Sequence, residues 1–192
     1  MKRTRSRVFI VSGPSGSGKT TICQKVLKET FGLAESVSCT TRRPRREETD
    51  GVDYEFVSRD YFLKGINEGA FLEYAEVFGN LYGTPKKSVE KLLGEGKDVL
   101  LCIDVQGASQ VKKNIKDAIL IFIVPPSFDD LEKRLINRSS ETAAQIKERL
   151  KTAKKELKQA NFYDYTVVND NVEAAERDLK AIILDERNRR VV

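Results

Sequence analysis

The chain is 192 residues long, 40% hydrophobic and 33% charged, with a formal net charge of +5 and no histidine. That length suits one α/β domain with a sizeable core, and no apolar run approaches the ~20 residues of a membrane span. Without histidine there is no His-based triad, no histidine zinc site and no histidine general base, so catalysis would rest on positioning and charge. The three cysteines, Cys23, Cys39 and Cys102, are odd in number and lack metal spacing, which suggests reduced thiols and a cytoplasmic setting. Residues 2–7 are basic, but only Val8 to Val11 follow as an apolar block, too short for a secretory signal. A moderate positive charge suits nucleic acid or a protein that handles several phosphates.

In chain order, residues 8–11 form a β-branched and apolar run, as a buried parallel strand should. Next comes Gly13-Pro14-Ser15-Gly16-Ser17-Gly18-Lys19-Thr20, which fits G-x-x-x-x-G-K-T, the phosphate-cradling P-loop. Ile22, Val26 and Leu27 then recur at helical spacing. The residue types match the chemistry. Glycine lets backbone N–H groups wrap an anion, and the helix start points its positive end at it. Lys19 offers a mobile charge to β- and γ-phosphates, and Thr20 a hydroxyl to Mg²⁺. A flexible glycine-serine turn is the plain alternative; the flanking strand and helix argue against it.

Residues 36–39 read as a short strand, followed by a basic stretch to Arg46, acidic Glu47-Glu48 and a turn at Asp50-Gly51. Residues 52–57 read as a strand. Ser58 can cap a short helix that Gly69 stops. Residues 71–78 are extended, with a Gly79-Asn80 turn before Leu81-Tyr82-Gly83. Thr84-Pro85 gives an N-cap with proline at the first helical position, and this helix ends by Gly94 or Gly96. Residues 99–103 form a buried strand ending at Asp104, residues 107–114 a helix, and residues 118–124 a strand. Ser127 with Asp130, and Thr142 with Gln145, suggest capping boxes for two helices, the second running to about Gln159. Residues 165–168 form a last strand, Asn171 caps the terminal helix, and residues 187–190 read as its solvated basic end. The alternation predicts a three-layer α/β/α fold with a mostly parallel sheet. Residues 36–85 break the alternation and read as an insert.

A second constellation lies in that insert. Arg42 and Arg45 bracket Pro44, and two guanidinium forks on a stiff turn suit a phosphate; a solvated charge run is the alternative. In an extended segment Glu73 shares a face with Phe71, Ala75 and Val77, where a carboxylate needs a partner or ligand; a different register would put it in water. Asp104 ends an apolar strand, where ligands and Mg²⁺ bind in such sheets; a helix-capping role is the alternative. Tyr54 and Tyr82 offer phenolic hydrogen bonds or simple packing. Two anionic centres suggest transfer between nucleotides. Guanine presents N1–H and N2–H₂ as donors, and ionised Glu73 and Asp104 can only accept.

These motifs together resemble the guanylate kinase family. The resemblance runs from Val8 to about Asp185 and rests on Ser12-Gly13-Pro14-Ser15-Gly16, Val37-Ser38-Cys39-Thr40-Thr41-Arg42-Arg43-Pro44-Arg45, Gly51-Val52-Asp53-Tyr54, Phe71-Leu72-Glu73-Tyr74-Ala75, Gly79-Asn80-Leu81-Tyr82-Gly83-Thr84, Ile103-Asp104-Val105-Gln106-Gly107 and Val168-Asn169-Asp170. It implies a P-loop NTPase core at about 1–35 and 86–192, a GMP-binding insert at about 36–85 and a lid at about 134–155. It implies γ-phosphoryl transfer from ATP to GMP and dGMP, with Mg²⁺, in purine nucleotide metabolism, and no nucleic-acid or membrane partner. Ser38, Arg42, Arg45, Tyr54 and Tyr82 would hold the acceptor phosphate, and Glu73, Thr84 and Asp104 the guanine. Lys19, Arg42, Arg134, Arg138 and Arg149 would meet the phosphates in transit. Thr20 and Asp104 would serve the metal.

Two departures stand out. The lid reads Asn137-Arg138-Ser139 where the family often has Gly-Arg-Gly, and Glu47 stands where the acceptor loop usually has glycine. With Glu48, it adds negative charge beside a phosphate site. Other readings are a GTPase, another acceptor or an interaction domain. Asp104-Val105-Gln106-Gly107 fits the D-x-x-G of regulatory GTPases, but no Asn-Lys-x-Asp segment accompanies it. A kinase for another acceptor would not need Glu73 and Asp104 together. A partner-binding domain of this type would typically lose the P-loop or acceptor residues retained here.

Overall fold

The computed structural model describes residues 6–77, 79–137 and 143–189. The first strand is β1 (Val8–Ser12), buried throughout. The P-loop follows, then α1 (Lys19–Glu29) and β2 (Leu33–Glu35). The insert holds β3 (Cys39–Thr40), β4 (Glu55–Phe56), α2 (Arg59–Asn67), β5 (Phe71–Val77) and β6 (Asn80–Pro85). The chain then returns through α3 (Lys86–Gly94), β7 (Asp98–Cys102), α4 (Val105–Asn114) and β8 (Ile119–Val124). It closes with α5 (Phe128–Ile136), α6 (Ala143–Leu157), a single 3₁₀ turn (Ala160–Phe162), β9 (Tyr165–Val168) and α7 (Val172–Asn188).

Five strands, ordered β2-β7-β1-β8-β9, make one sheet whose pairings are all parallel. Alternate residues of β1 face opposite layers, as strand geometry requires. Phe9 and Val11 pack with Ile22 and Val26 of α1 and with Leu179 and Ile183 of α7. Val8 and Ile10 pack with Val89 of α3 and with Ala108 and Val111 of α4. The expected three-layer α/β/α fold follows from this two-sided burial.

The insert has its own four-stranded sheet, ordered β4-β3-β6-β5, with mixed pairing directions. Its small core is Cys39, Phe62, Phe71 and Leu81, with the Phe62 and Phe71 rings stacked 4.4 Å apart. The second sheet places its strand β5 against α4 of the core, and Leu72 reaches into the core's α3–α4 layer. That docking brings residues of the insert to the P-loop end of the main sheet.

Several local expectations change. Of the strand expected at 36–39 only Cys39 is extended in a sheet: residues 36–38 are the crossing from β2, which ends at Glu35, to β3 in the other sheet. One apolar pattern cannot mark a change of sheet. The strand expected at 52–57 shortens to β4 because residues 51–53 are turn, held by Asp53 accepting from the Thr49 N–H at 2.8 Å. Pro85 is not the first helical residue: it ends β6 and is itself the N-cap of α3. Thr84 is fully buried and its hydroxyl is donated to Glu73, so it has no cap to give. The caps at Ser58, Ser127 and Asn171 form as expected, each accepting a backbone N–H. Arg187 is not merely solvated; it donates to Asp98 at 2.6 Å and to the Phe31 carbonyl at 3.0 Å, tying α7 to the sheet. Phe78, Arg138, Ser139, Thr142 and Arg190 lie outside the described residues.

Candidate active site

The P-loop leaves β1 and turns into α1 at Gly18, whose φ of 88° is left-handed. A Cβ there would sit 2.2 Å from the Asn169 amide nitrogen, so glycine is required twice over. That amide nitrogen donates to the Ser17 carbonyl at 2.7 Å. Asn169 is itself fixed, its N–H donated to Val124 O at 2.8 Å and its carbonyl accepting from Arg134 at 2.9 Å. Lys19 curls over the loop, donating to the carbonyls of Gly13 at 2.5 Å and Pro14 at 3.2 Å. Thr20 is exposed in the first turn of α1.

A cleft of about 440 Å³ opens beside this loop. One wall is Gly13, Pro14, Ser15, Gly16, Gly18, Lys19 and Thr20; the facing wall carries Ser38, Arg45, Tyr54, Glu73 and Tyr82. Asp104 lies between them, and Arg149 comes in from α6. The P-loop and most of the insert residues singled out from the sequence therefore share one cavity. Arg42, Thr84, Ser17 and Arg134 stand behind its walls.

On the insert side each group is held by a named partner. Arg42 makes a two-pronged pair with Glu48, at 2.9 and 2.8 Å, and lies over the Tyr54 ring at 5.5 Å. The same carboxylate accepts the Arg45 backbone N–H at 2.8 Å. Glu48 thus shapes the arginine loop rather than opposing it. The Arg42 guanidinium beside Glu48 holds that carboxyl below its ordinary range, and Glu48 raises Arg42 in return. Glu47 is exposed. The Arg45 side chain is 70% exposed at the cleft, where a phosphate could reach its fork. Tyr54 and Tyr82 meet edge to face at 6.0 Å, and burial pushes the Tyr54 phenol up to about 12, so it stays a donor.

Glu73 is 4% exposed and accepts the Thr84 hydroxyl at 2.6 Å. Burial pushes its carboxyl up to about 7, offset in part by Thr84 and aided by the charge of Asp104. The strand register shifts between Phe71 and Glu73. Phe71 and Leu72 are consequently both buried before alternation resumes. Gly107 of α4 makes room for the carboxylate: a Cβ there would lie 2.3 Å from Glu73 Oε2. Asp104 takes the helix-capping role. Its Oδ1 caps α4 by accepting from the N–H groups of Gln106 and Gly107 at 2.7 and 2.8 Å, and the residue also lines the cleft.

Three participants escape sequence reasoning. Asn169 stood in a recognised motif without a role; its signal is only its place just after the last strand. Glu156 of α6 lines the cleft, and burial raises its carboxyl; one acidic residue in a charged helix gives no signal. Glu48 looked like a liability because pairing across six residues of irregular loop has no pattern.

The fold defines a P-loop protein whose cleft is shared by the glycine-rich loop and the inserted sheet. The guanylate kinase family model matches residues 5–186. A guanylate kinase of Clostridium perfringens is 50% identical over 188 residues, 98% of this chain and 87% of that protein. One of Thermus thermophilus is 49% identical over 189 residues, 98% of this chain and 84% of that protein. The crystal structure of guanylate kinase from Anaplasma phagocytophilum superposes with a TM-score of 0.82 at 34% identity, covering 97% of this chain and 89% of that one. The chain belongs to the guanylate kinase family, whose members transfer a phosphoryl group from ATP to GMP.

Proposed function

We propose that the P-loop holds ATP, that the insert holds GMP, and that the cleft residues divide the work as follows. Lys19 and the backbone N–H groups of residues 13–20 bind the donor phosphates. Ser38, Arg42, Arg45, Tyr54 and Tyr82 bind the acceptor phosphate. Glu73 and Asp104 accept from guanine N1–H and N2–H₂, and Thr84 orients Glu73. dGMP is accepted too, since no group assigned here requires the 2′-hydroxyl. The observation that carries this reading is the single cleft lined by both sets of residues.

The reaction needs no general base. An oxygen of the GMP phosphate, already anionic, attacks the γ-phosphorus in line, and the bond to the β–γ bridging oxygen breaks. Catalysis is alignment plus neutralisation of spreading charge. Lys19 and Arg149 supply positive charge from two sides. Arg138 joins them from a lid at about 134–155, and closure there excludes water. Arg134 steadies the P-loop through Asn169 and reaches the phosphates only on closure.

Mg²⁺ fits this donor set. Among the described residues no three His, Cys, Asp or Glu side chains gather in a metal cage, and Mg²⁺ prefers one or two protein oxygens with phosphates and waters. Thr20 and Asp104 would supply those oxygens. When bound, the ion neutralises charge on the donor phosphates. A cytoplasmic enzyme is the setting we infer: Cys23, Cys39 and Cys102 are free thiols, and no helix among the described residues is long and apolar enough to cross a membrane.

ADP formation from ATP and Mg²⁺, with GMP, dGMP, AMP, CMP or UMP as acceptor, tests the reading. Turnover confined to GMP and dGMP is expected. Equal turnover with AMP, or vigorous ATP hydrolysis with no acceptor, would refute it.

A further inference from the structure

Of the three thiols, Cys39 stands apart in the insert, donating to Glu55 at 3.1 Å. The other two meet beneath the P-loop. Cys23 lies on α1 one turn after Lys19 and is buried. Cys102 is the last residue of β7, pairs in register with Val11 of β1, and packs on the same apolar cluster as Cys23. α1 rests directly on β7, and the two thiols lie close enough to interact. Cys102 is only half-buried and lines the cleft. One member of the pair is thus open to solutes and the other is closed off behind it.

We propose that Cys102 and Cys23 are a modification site, oxidised by low-molecular-weight disulfides to an internal disulfide that shuts the donor cradle. This rests on the P-loop's role as the ATP site. The sulfur of Cys102 attacks one sulfur of a glutathione disulfide and releases its proton to solvent. The S–S bond breaks, and one glutathione leaves as a thiolate. The sulfur of Cys23 then attacks the Cys102 sulfur of the mixed disulfide, and the second glutathione leaves. Two protein thiols lose two electrons, and the glutathione disulfide becomes two thiols.

The new bond fixes the sulfurs about 2.05 Å apart, closer than any hydrogen-bonded contact. α1 must therefore shift toward β7. Lys19 and Thr20 form the first turn of that helix, so they move with it. A displacement of ~1 Å at a positioning site can cost ~10²-fold in rate. Bound Mg²⁺ and ATP cover Cys102 and should slow its oxidation.

The test treats the reduced full chain with oxidised glutathione and follows intact mass, peptide maps, ATP binding and turnover with GMP. The expected result is a Cys23–Cys102 cross-linked peptide, loss of two hydrogens in mass, and a fall in ATP affinity and turnover of ~10²-fold. Dithiothreitol should restore both, and Mg²⁺ with ATP should protect. Cys39→Ser should behave like the parent, whereas Cys23→Ala should stop at a glutathione adduct on Cys102. A Cys23–Cys102 disulfide that leaves ATP binding unchanged would overturn the proposal, as would a Cys102 that stays reduced while exposed model thiols are oxidised. If instead the reduced protein binds no ATP, the function reading fails, while the peptide map still decides the pairing.

Discussion

The two walls of the cleft are made of different material. The P-loop wall, where we propose the donor sits, is backbone: a run of N–H groups between β1 and α1, held in shape by Gly18 and by Asn169 behind it. The insert wall, where we propose the acceptor sits, is side chains, drawn from β5, β6, an irregular arginine loop and the cap of α4. A backbone nest is specified by a few contiguous residues. A side-chain site exists only once separate elements dock, and each of its charges needs its own partner: Glu48 for Arg42, Thr84 for Glu73.

The comparison predicts distinct failures at the two walls. Lys19→Ala should have the largest effect, a loss of ~10³-fold or more in kcat with melting temperature nearly unchanged; single-turnover kinetics would show it. Gly18→Ala should cost ~10²-fold in ATP binding, since the added methyl meets Asn169. At the other wall, Arg42→Ala should raise the KM for GMP by ~10–100-fold while the KM for ATP stays put. Glu48→Ala should do the same more weakly, about tenfold, by leaving Arg42 unsupported. Equal losses for ATP and GMP at Arg42 would erase the division between the walls.

The division also explains what the sequence could disclose. The P-loop, its strand and its helix were legible because motif, hydrophobic run and helical spacing are local. The two-sheet crossing at residues 36–38 was not, since Ser36-Val37-Ser38-Cys39 looks like a strand although only Cys39 is in one. Glu73 was legible as a buried carboxylate from its apolar neighbours, but the register shift before it was not. Thr84 looked like a helix cap beside Pro85; only the docked sheet shows its hydroxyl given to Glu73. Arg42 and Arg45 were visible as two basic residues on a stiff turn, while the pairing of Arg42 with Glu48 depended on a loop shape that no periodicity encodes.

The smallest expected effects are in pH dependence, and they run in opposite directions for stability and binding. Glu73 has its folded value raised to about 7 by burial, above the ~4.3 of an unfolded glutamate. Its contribution to stability is therefore full below ~4.3 and is lost as pH rises through about 7. Glu73→Gln should flatten that decline, visible in chemical denaturation at pH 5 and pH 8. Guanine binding needs the ionised form, so GMP affinity should rise over the same interval. Calorimetry in buffers of different ionisation enthalpy should find proton release on GMP binding near pH 7 that Glu73→Gln reduces.

The most direct test is the ratio of kcat/KM for GMP to that for AMP, measured in the parent and in Glu73→Gln. The account predicts a ratio above ~10³ in the parent, because a mismatched base leaves buried polar groups unpaired, and a collapse of that ratio by at least tenfold in the variant, through loss of GMP turnover. A ratio unmoved by the substitution would mean that the buried carboxylate serves the fold and that the acceptor base is read elsewhere.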